Sequence, residues 1–207
     1  ERPGSDSGYH FYADDTQDYL CARVSCMEAA VDSISGSATE ASKWMGENGL
    51  ACNNDKTVFL VVRSKYTRNF PEVPGIKISD CVVDRSVCAR NLGVIFDELF
   101  TFKQHVSSTV QRANLAIRSI SRIRKYLSQD TTRLFTQLLV TSRLDFCNSL
   151  LIGLPAATLS PLQRVQNAAA RLVTKVRKSV HITPVLRDLH WLPVVQRIKY
   201  KVLVFAF

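Results

Sequence analysis

Two adjacent acidic residues, Asp14 and Asp15, are the strongest candidates for chemistry in this sequence. They lie between two short runs, 8–13 and 16–24, whose composition predicts β-strands that meet at the aspartate pair. Carboxylates at such a hairpin tip supply the oxygen ligands that Mg²⁺ prefers. Paired ions of this kind assist nucleotidyl transfer, although two aspartates alone rarely hold both. An aspartate pair in a turn without a metal is the commoner case, so these residues alone leave both interpretations open.

A strong charge asymmetry divides the 207 residues. Residues 1–100 carry 10 Lys and Arg against 15 Asp and Glu, whereas residues 101–207 carry 17 against 3, so formal balances of −5 and +14 give the +9 of the whole chain. A half-chain that is so basic favours a polyanionic partner such as nucleic acid, because Lys and Arg dominate contacts to phosphates. A solubilising surface is the alternative, but such surfaces usually mix both signs.

The first half is predicted to mix helix and strand. Apolar residues recur at helical spacing from about 28 to 48, and Gly49 is placed to end that helix. A β-branched and aromatic run at 57–63 predicts a buried strand. After a loop at 64–75, two or three further short strands are predicted, at 76–79, 81–84 and 91–96.

Beyond residue 101 long helical periodicities replace the short strands, which places a boundary between residues 1–100 and 101–207. In the first helix an apolar stripe is predicted at Val106, Val110, Ala113, Ile117, Ile120, Ile123 and Leu127. A different face of the same helix carries Arg118, Arg122 and Lys125. The overall prediction is an α+β chain that ends in a basic helical region.

Further helices are predicted to follow the same design. The second spans about 130–151, and the third begins near Ser160, with Pro161 in its first turn. One face of the third is expected to carry Arg164, Arg171, Lys175 and Lys178. A short helix near 183–189 and a last one from about 193 complete the set.

The cysteines and the hydropathy of the sequence indicate the cell compartment in which the protein is expected. The six cysteines have irregular spacings, and no signal segment is present, which favours free thiols in a reducing, intracellular setting, the nucleus or the cytoplasm. No apolar run has the length of a membrane span, so we expect no membrane partner. The chain opens without methionine and closes within an apolar run, so it is expected to be a fragment. The oligomeric state is left open.

Several motifs, in order, resemble non-LTR (LINE-type) retrotransposon reverse transcriptases. The stretch 10–17 (His-Phe-Tyr-Ala-Asp-Asp-Thr-Gln) looks like the catalytic hairpin of that family. Trp44-Met45 with Asp55-Lys56-Thr57 is similar to the helix, turn and strand that follow it. The resemblance implies that Asp14 binds Mg²⁺, that Asp15 assists and that Lys56 approaches the triphosphate. It also places Tyr12 and Ala13 near the primer end.

The resemblance continues through the second half. Asn91-Leu92-Gly93-Val94 looks like the segment that grips the primer, which places Leu92 and Gly93 near it. Residues 142–149, 163–171, 181–184 and 189–193 match the thumb and post-thumb region. The implied fold is the end of a polymerase palm followed by a helical thumb, and the implied partners are an RNA template, an RNA–DNA hybrid and a deoxynucleoside triphosphate.

The resemblance also implies what this chain lacks. The family's fingers and the palm strand with a third essential aspartate lie upstream, so the chain is expected to be inactive in isolation. In the alternative interpretation, the chain is a non-enzymatic, basic, helical nucleic-acid-binding remnant of a decayed element.

Overall fold

The computed structural model describes residues 6–73 and 75–207, and its contacts divide the chain into two units. The first unit extends to Ala89 and includes Asp97–Phe100, and the second consists of Arg90–Phe96 and Thr101–Phe207. Small sheets and one long helix form most of the first unit, and helices form most of the second. The predicted α+β class is therefore confirmed.

The acidic pair lies on an antiparallel hairpin. Strands β1 (Asp6–Tyr12) and β2 (Asp15–Cys21) pair in a continuous register that ends with Tyr12 opposite Asp15. Residues 13 and 14 form the connecting turn, so the predicted hairpin is confirmed. The second strand ends at Cys21 rather than at 24, because a 3₁₀ turn begins at Val24.

Helix α1 (Met27–Glu47) ends just before Gly49, the residue at which the sequence predicted its end. Gly49 has a φ of 75°, and its N–H donates to the carbonyl of Gly46 at 3.1 Å. The N–H of Leu50 donates to the carbonyl of Met45 at 2.8 Å. This pair of bonds satisfies the carbonyls at the helix end and needs the left-handed backbone that glycine adopts without strain.

A three-stranded sheet packs on α1. Strand β5 (Cys81–Ser86) is central, parallel to β3 (Phe59–Leu60) and antiparallel to β4 (Gly75–Ile78). The strand predicted at 57–63 is thus reduced to two paired residues. The core of this unit is small and consists of Ile76, Ile78 and Val83, with Val31, Ile34, Ala38 and Phe59 half-buried around them.

The strand predicted at 91–96 is wrong. Strands β6 (Cys88–Asn91) and β7 (Val94–Asp97) pair with each other, and a turn at Leu92–Gly93 separates them. Both turn residues have positive φ, 45° and 85°, as the type I′ turns of two-residue hairpins require. The alternation of apolar residues alone did not reveal this turn.

Helix α2 (Lys103–Ile123) buries most of its predicted stripe. Val106, Ala113 and Ile120 are buried, but Ile123 is exposed, because the α-helix ends there and a 3₁₀ turn follows at Arg124–Tyr126. The prediction is therefore confirmed except at the helix end.

The second predicted helix, 130–151, is wrong at its C-terminal end. Helix α3 (Gln129–Thr136) continues through a π-helical turn at Gln137–Thr141 into α4 (Ser142–Asp145). Phe146 then adopts extended backbone and Cys147 has a φ of 49°, which ends the helix before a 3₁₀ turn at 148–151.

Helix α5 (Ala156–Thr174) begins earlier than predicted and ends sooner. Pro161 lies in its interior, where it cannot donate to the carbonyl of Ala157. The hydroxyl of Ser160 donates to that carbonyl instead, at 3.2 Å. At the other end Lys175 has a φ of 57°, so Lys175 and Lys178 do not continue the face that carries Arg164 and Arg171, and that part of the prediction is wrong.

Helices α6 (Ile182–Asp188) and α7 (Val194–Ala206) confirm the last two predicted helices. The core of the second unit is larger than that of the first and includes buried residues of both α2 and α5, which are in contact. Ala113, Ala169 and Ala170 are almost fully buried and allow the two helices to approach closely. Trp191 joins the same core.

The buried guanidinium of Arg124 connects the end of α2 to the end of α5. Its Nε and Nη2 atoms donate to the carbonyls of Leu172 and Val173, both at 2.9 Å, and Nη1 donates to the carbonyl of Leu127 at 2.8 Å. Carbonyls in the last turn of a helix have no partner within the helix, and the partial negative charge there favours a cation. Arg124 therefore supplies a charged donor to three backbone carbonyls, two of them in the last turn of α5.

Replacing Arg124 by methionine should destabilise the helical unit by about 3 kcal/mol or more, because three carbonyls lose a charged donor. Urea unfolding followed by far-ultraviolet circular dichroism measures this loss. Arg187→Met, at an exposed position of α6, is the control and should change the free energy of unfolding by less than about 0.5 kcal/mol. Equal stability of the two variants would contradict the assigned role of Arg124.

Candidate functional site

Asp14 and Asp15 lie at the tip of the β1–β2 hairpin and are both exposed. Ala13 has a φ of 54°, so the turn reverses the chain within two residues and displays the neighbouring carboxylates at its apex. A small side chain limits the steric cost of this left-handed backbone. The predicted placement of both acids at a β-bend is therefore confirmed.

The hairpin tip offers only part of a metal site. Two adjacent carboxylates give oxygen donors that fit a Mg²⁺ ion whose remaining ligands are water or phosphate. Over residues 6–73 and 75–207 no cluster of three or more His, Cys, Asp or Glu side chains is arranged to hold a metal. Magnesium binding by Asp14 and Asp15 stays a prediction, and a site for two ions needs further ligands.

Exposed aromatic side chains cover the same hairpin. Tyr12, which precedes the turn, is exposed, as are Tyr9, Phe11 and Tyr19. The rings of Tyr9 and Phe11 lie 5.4 Å apart, as expected for residues two apart on one face of a strand. Tyr12 and Ala13 directly precede the two aspartates, and their placement near a primer end stays a prediction.

Lys56 ends a 3₁₀ turn, Asn54–Lys56, just before β3, and its side chain is exposed. The N–H of Lys56 and the hydroxyl of Thr57 both donate to the carbonyl of Asn53, at 3.1 and 3.2 Å. These bonds fix the local turn and leave the ammonium group in solvent. Its approach to a triphosphate stays a prediction.

The turn at Leu92–Gly93 is fastened to the helical unit at two points. The N–H of Ile95 donates to Nδ1 of His105 on α2, with 3.3 Å between the nitrogens. A Cβ atom built on Gly93 would lie 3.2 Å from a ring carbon of Phe146, so the glycine allows that ring to pack against the turn. Val94 is buried in the core of the unit. The predicted primer-contacting residues therefore occupy a turn that is bonded to α2 and packed by Phe146.

His105 is buried and accepts a hydrogen bond at Nδ1, so its neutral form, with the proton on Nε2, suits the structure. Burial, and after it the positive charges of Arg112 and Arg90, lower the pKa of His105 below 6.5. Protonation would cost the bond to Ile95 and bury a cation.

Most of the predicted phosphate-binding cations are exposed. Arg118 and Arg122 lie on α2, Lys125 on the 3₁₀ turn after it, and Arg164 on α5. Lys175 and Lys178 are exposed in the segment after α5. Arg171 differs, since it is half-buried and its Nη2 atom donates to the carbonyl of Val180 at 3.2 Å.

Other basic residues, which were not among the predicted nucleic-acid contacts, bind within the protein. Arg133 donates to the carbonyl of Leu189 at 3.3 Å, next to the end of α6. Arg197 forms a two-bond ion pair with Asp145, in which Nε lies 2.7 Å from Oδ1. Together with Arg124, these residues show that part of the +14 balance serves helix ends and ion pairs. No periodicity in the sequence distinguishes them from solvent-facing arginines.

Two of the matched motifs meet around a buried amide network. Nε2 of Gln166 donates to the carbonyl of Leu192 at 2.8 Å, and Oε1 of Gln163 accepts from the N–H of Val194 at 2.8 Å. Nε2 of Gln163 also donates to Oε1 of Gln166 at 2.9 Å. The bond from Gln166 to Leu192 therefore joins stretches 163–171 and 189–193. The bond from Val194 to Gln163 satisfies the first N–H of α7.

The remaining features are the cysteines and the apolar content of the helices. All six cysteines are free, and the reducing, intracellular setting stays a prediction. Within the described ranges the chain has no helix that is both long and apolar enough to span a bilayer.

The chain resembles one protein whose function is named. The chain is 28% identical over 184 residues to a probable RNA-directed DNA polymerase from the transposon X-element of Drosophila melanogaster. This chain is similar to a transposon polymerase. The similarity covers 86% of the chain and 19% of the relative, so the chain spans about a fifth of that protein's length. No family model and no solved structure matches the chain.

The buried neutral His105 predicts how stability depends on pH. Its folded pKa lies below the unfolded value, so the unfolded state binds more protons as the pH falls below about 6.5, and stability is lost from there down to the lowered pKa. Urea unfolding of the wild type should therefore show a steeper loss between pH 7.5 and 5 than unfolding of His105→Asn. Parallel losses in the two proteins would contradict this assignment.

Proposed function

We propose that the chain is part of a non-LTR retrotransposon reverse transcriptase, an RNA-directed DNA polymerase. The observation that carries this proposal is the similarity to the X-element polymerase across 86% of the chain. In this proposal residues 1–100 belong to the end of the palm, and residues 101–207 form the thumb and post-thumb region. The α+β first unit, the helical second unit and the order of the motifs support it.

The hairpin tip would hold a catalytic ion. Asp14 and Asp15 would bind Mg²⁺ through their carboxylate oxygens, together with a carboxylate from another part of the enzyme. When bound, the metal activates the attacking 3′ oxygen and neutralises charge on the leaving pyrophosphate. Exposure at a tight turn supports this role, because both acids are accessible to phosphate.

Neighbouring residues of this chain would position the reactants. Tyr12 and Ala13 would lie beside the primer end, and the small alanine side chain would leave room for it. Lys56 would stabilise charge on the triphosphate, which fits an exposed ammonium group. Leu92 and Gly93 would contact the primer through a turn that the helical unit keeps rigid.

The helical unit would bind the RNA–DNA hybrid through its sugar–phosphate backbones. The proposed contacts are Arg118, Arg122, Lys125, Arg164, Arg171, Lys175 and Lys178. Six of these seven side chains are exposed, and only three acidic residues occur between 101 and 207. Of those three, Asp145 is paired with Arg197, so little negative charge opposes a polyanion.

A primer-extension assay on the purified chain, with a homopolymer template, Mg²⁺ and deoxynucleotides, should give no product. The described residues supply two adjacent carboxylates but no group of three metal ligands. The X-element polymerase, or another complete polymerase of this kind, is the positive control. Robust extension by the chain alone would overturn the assignment of its site as incomplete.

Binding to an RNA–DNA hybrid should weaken steeply with salt, since phosphate contacts release counterions. Changing Arg118, Arg122 and Arg164 to glutamine together should lower the slope of log K against log salt by about one per lost contact. The matched control changes three exposed cations of the first unit, Arg23, Lys43 and Lys77, to glutamine. An equal effect of the two sets would show that net charge alone matters and would count against the helical surface.

A second candidate function is a non-enzymatic nucleic-acid-binding module. The strongly basic helical unit favours it, since residues 101–207 carry 17 Lys and Arg against 3 acidic residues. Fusing the family's fingers and remaining palm to the N-terminus of the chain separates the two functions. Restored extension that Asp14→Asn abolishes supports the polymerase, whereas hybrid binding without extension supports the module.

A further inference from the structure

An exposed serine lies in the connection between α5 and α6. Ser179 is part of a turn in which the N–H of Val180 donates to the carbonyl of Arg177 at 3.2 Å. The Ser179 hydroxyl makes no hydrogen bond to another residue of the described ranges, whereas the hydroxyls of Ser142 and Ser160 both donate to backbone carbonyls. Ser179 therefore presents an accessible hydroxyl in a surface turn, where an enzyme that modifies side chains can reach it.

Three cations precede this hydroxyl in the chain. Lys175, Arg177 and Lys178 are exposed, and the ion pairs found among the described residues include none of them. The longer stretch 146–187 contains six Lys and Arg and no acidic residue, so no neighbour in the sequence compensates this charge. A serine that follows exposed cations fits the class of protein kinases whose substrate grooves are acidic, because such enzymes select substrates by charge.

A fourth cation is bonded to the same turn. Nη2 of Arg171, on α5, donates to the carbonyl of Val180 at 3.2 Å, so the guanidinium lies beside the residue that follows Ser179. Nε of Arg171 is buried and has no hydrogen-bond partner among the described residues. A nearby anion would stabilise this incompletely paired cation.

We propose that Ser179 is a phosphorylation site and that its phosphate masks part of the cationic surface of the helical unit. In the modification, Oγ of Ser179 attacks the γ-phosphorus of ATP held by a kinase of the basic-substrate class. The bond between that phosphorus and the β–γ bridging oxygen breaks, ADP leaves, and the hydroxyl proton passes to a base of the kinase. The effect on nucleic-acid binding rests on the proposed function and adds a means of regulating it.

The masking follows from the charge and position of the new group. A phosphoserine carries a charge of about −1.5 to −2 and three strong acceptor oxygens. Arg171, Lys175 and Lys178, which are three of the seven proposed nucleic-acid contacts, lie within eight residues of Ser179 in the chain. A phosphate that is attached beside these cations competes with those of a hybrid at a high effective concentration.

The structure distinguishes Ser179 from another exposed serine next to arginines. Ser121 lies between Arg118 and Arg122 in the sequence, so charge alone would favour it as well. Ser121 is, however, inside α2, whose backbone is hydrogen-bonded within the helix. Access of an enzyme to this backbone needs local unfolding, whereas the turn at Ser179 lies outside any helix.

The first test incubates the purified chain with ATP and a protein kinase that selects basic residues before its serine. Mass spectrometry of the digested protein should find the phosphate at Ser179. Ser179→Ala should remove most of the incorporated phosphate, whereas Ser121→Ala is the matched control and should retain it. Incorporation that is unchanged in Ser179→Ala would overturn the assignment of the site.

The second test compares chains that carry phosphoserine at one position, introduced during translation. Phosphoserine at position 179 should weaken binding of an RNA–DNA hybrid about ten- to hundredfold at about 0.1 M salt and lower the slope of log K against log salt by about two. Phosphoserine in place of Ser37, an exposed residue of α1, adds the same charge to the first unit and should weaken binding less than about threefold. Equal weakening by the two phosphates would contradict local masking.

A double-mutant cycle tests whether the phosphate acts on the neighbouring cations. In a chain with Lys175→Gln and Lys178→Gln, phosphoserine at position 179 has fewer contacts to mask, so its effect on hybrid binding should be several times smaller than in the wild-type background. An effect of the same size in both backgrounds would show that the phosphate does not act through these lysines and would overturn the masking.

The outcomes separate this inference from the proposed function. If the unmodified chain binds the hybrid and phosphoserine at position 179 leaves the affinity unchanged, the masking is wrong and the proposed function stands. If the unmodified chain binds no hybrid at low salt, the proposed function fails, and the labelling experiment alone decides whether Ser179 is a modification site.

Discussion

The helical unit depends on the satisfaction of backbone groups where helices end inside the protein. Arg124 donates to three carbonyls, two of them in the last turn of α5, and its guanidinium is buried among them. Gln163 supplies an acceptor for the first N–H of α7. Unpaired groups at these points would cost more than any single apolar contact could return. The ends of these helices can therefore be buried, because their backbone groups have hydrogen-bond partners.

Because backbone groups at helix ends need donors, part of the positive charge of residues 101–207 binds within the protein. Arginines serve helix ends well, since a planar guanidinium donates to several carbonyls at once. Arg124, Arg133 and Arg171 each bind a carbonyl, and Arg197 pairs with Asp145. Six of the seven proposed nucleic-acid contacts are exposed cations, and the seventh, Arg171, is half-buried. Net charge indicates the class of partner, whereas burial decides which residues can meet it.

The first unit displays its acids on a hairpin whose other residues are largely exposed. The core beneath α1 is formed chiefly by Ile76, Ile78 and Val83, and the aromatic residues of β1 and β2 remain outside it. Register alone fixes the position of the acids, because the pairing of Tyr12 with Asp15 leaves only a two-residue turn. The turn at Leu92–Gly93 differs, because it also has contacts outside its own hairpin. There a buried histidine and an aromatic ring hold the turn against a core.

The sequence by itself determined the α+β class, the hairpin with its acidic tip, the end of α1 at Gly49 and the apolar stripe of α2. Each depends on local periodicity or on the backbone preferences of a few neighbouring residues. Only the tertiary structure decided that Leu92–Gly93 is a turn, that α5 ends at Thr174 and that Arg124 is buried. Those outcomes depend on partners distant in the chain, such as Phe146 for Gly93 and Leu172 for Arg124. A local pattern carries no information about such partners, because packing brings them together only when the chain folds.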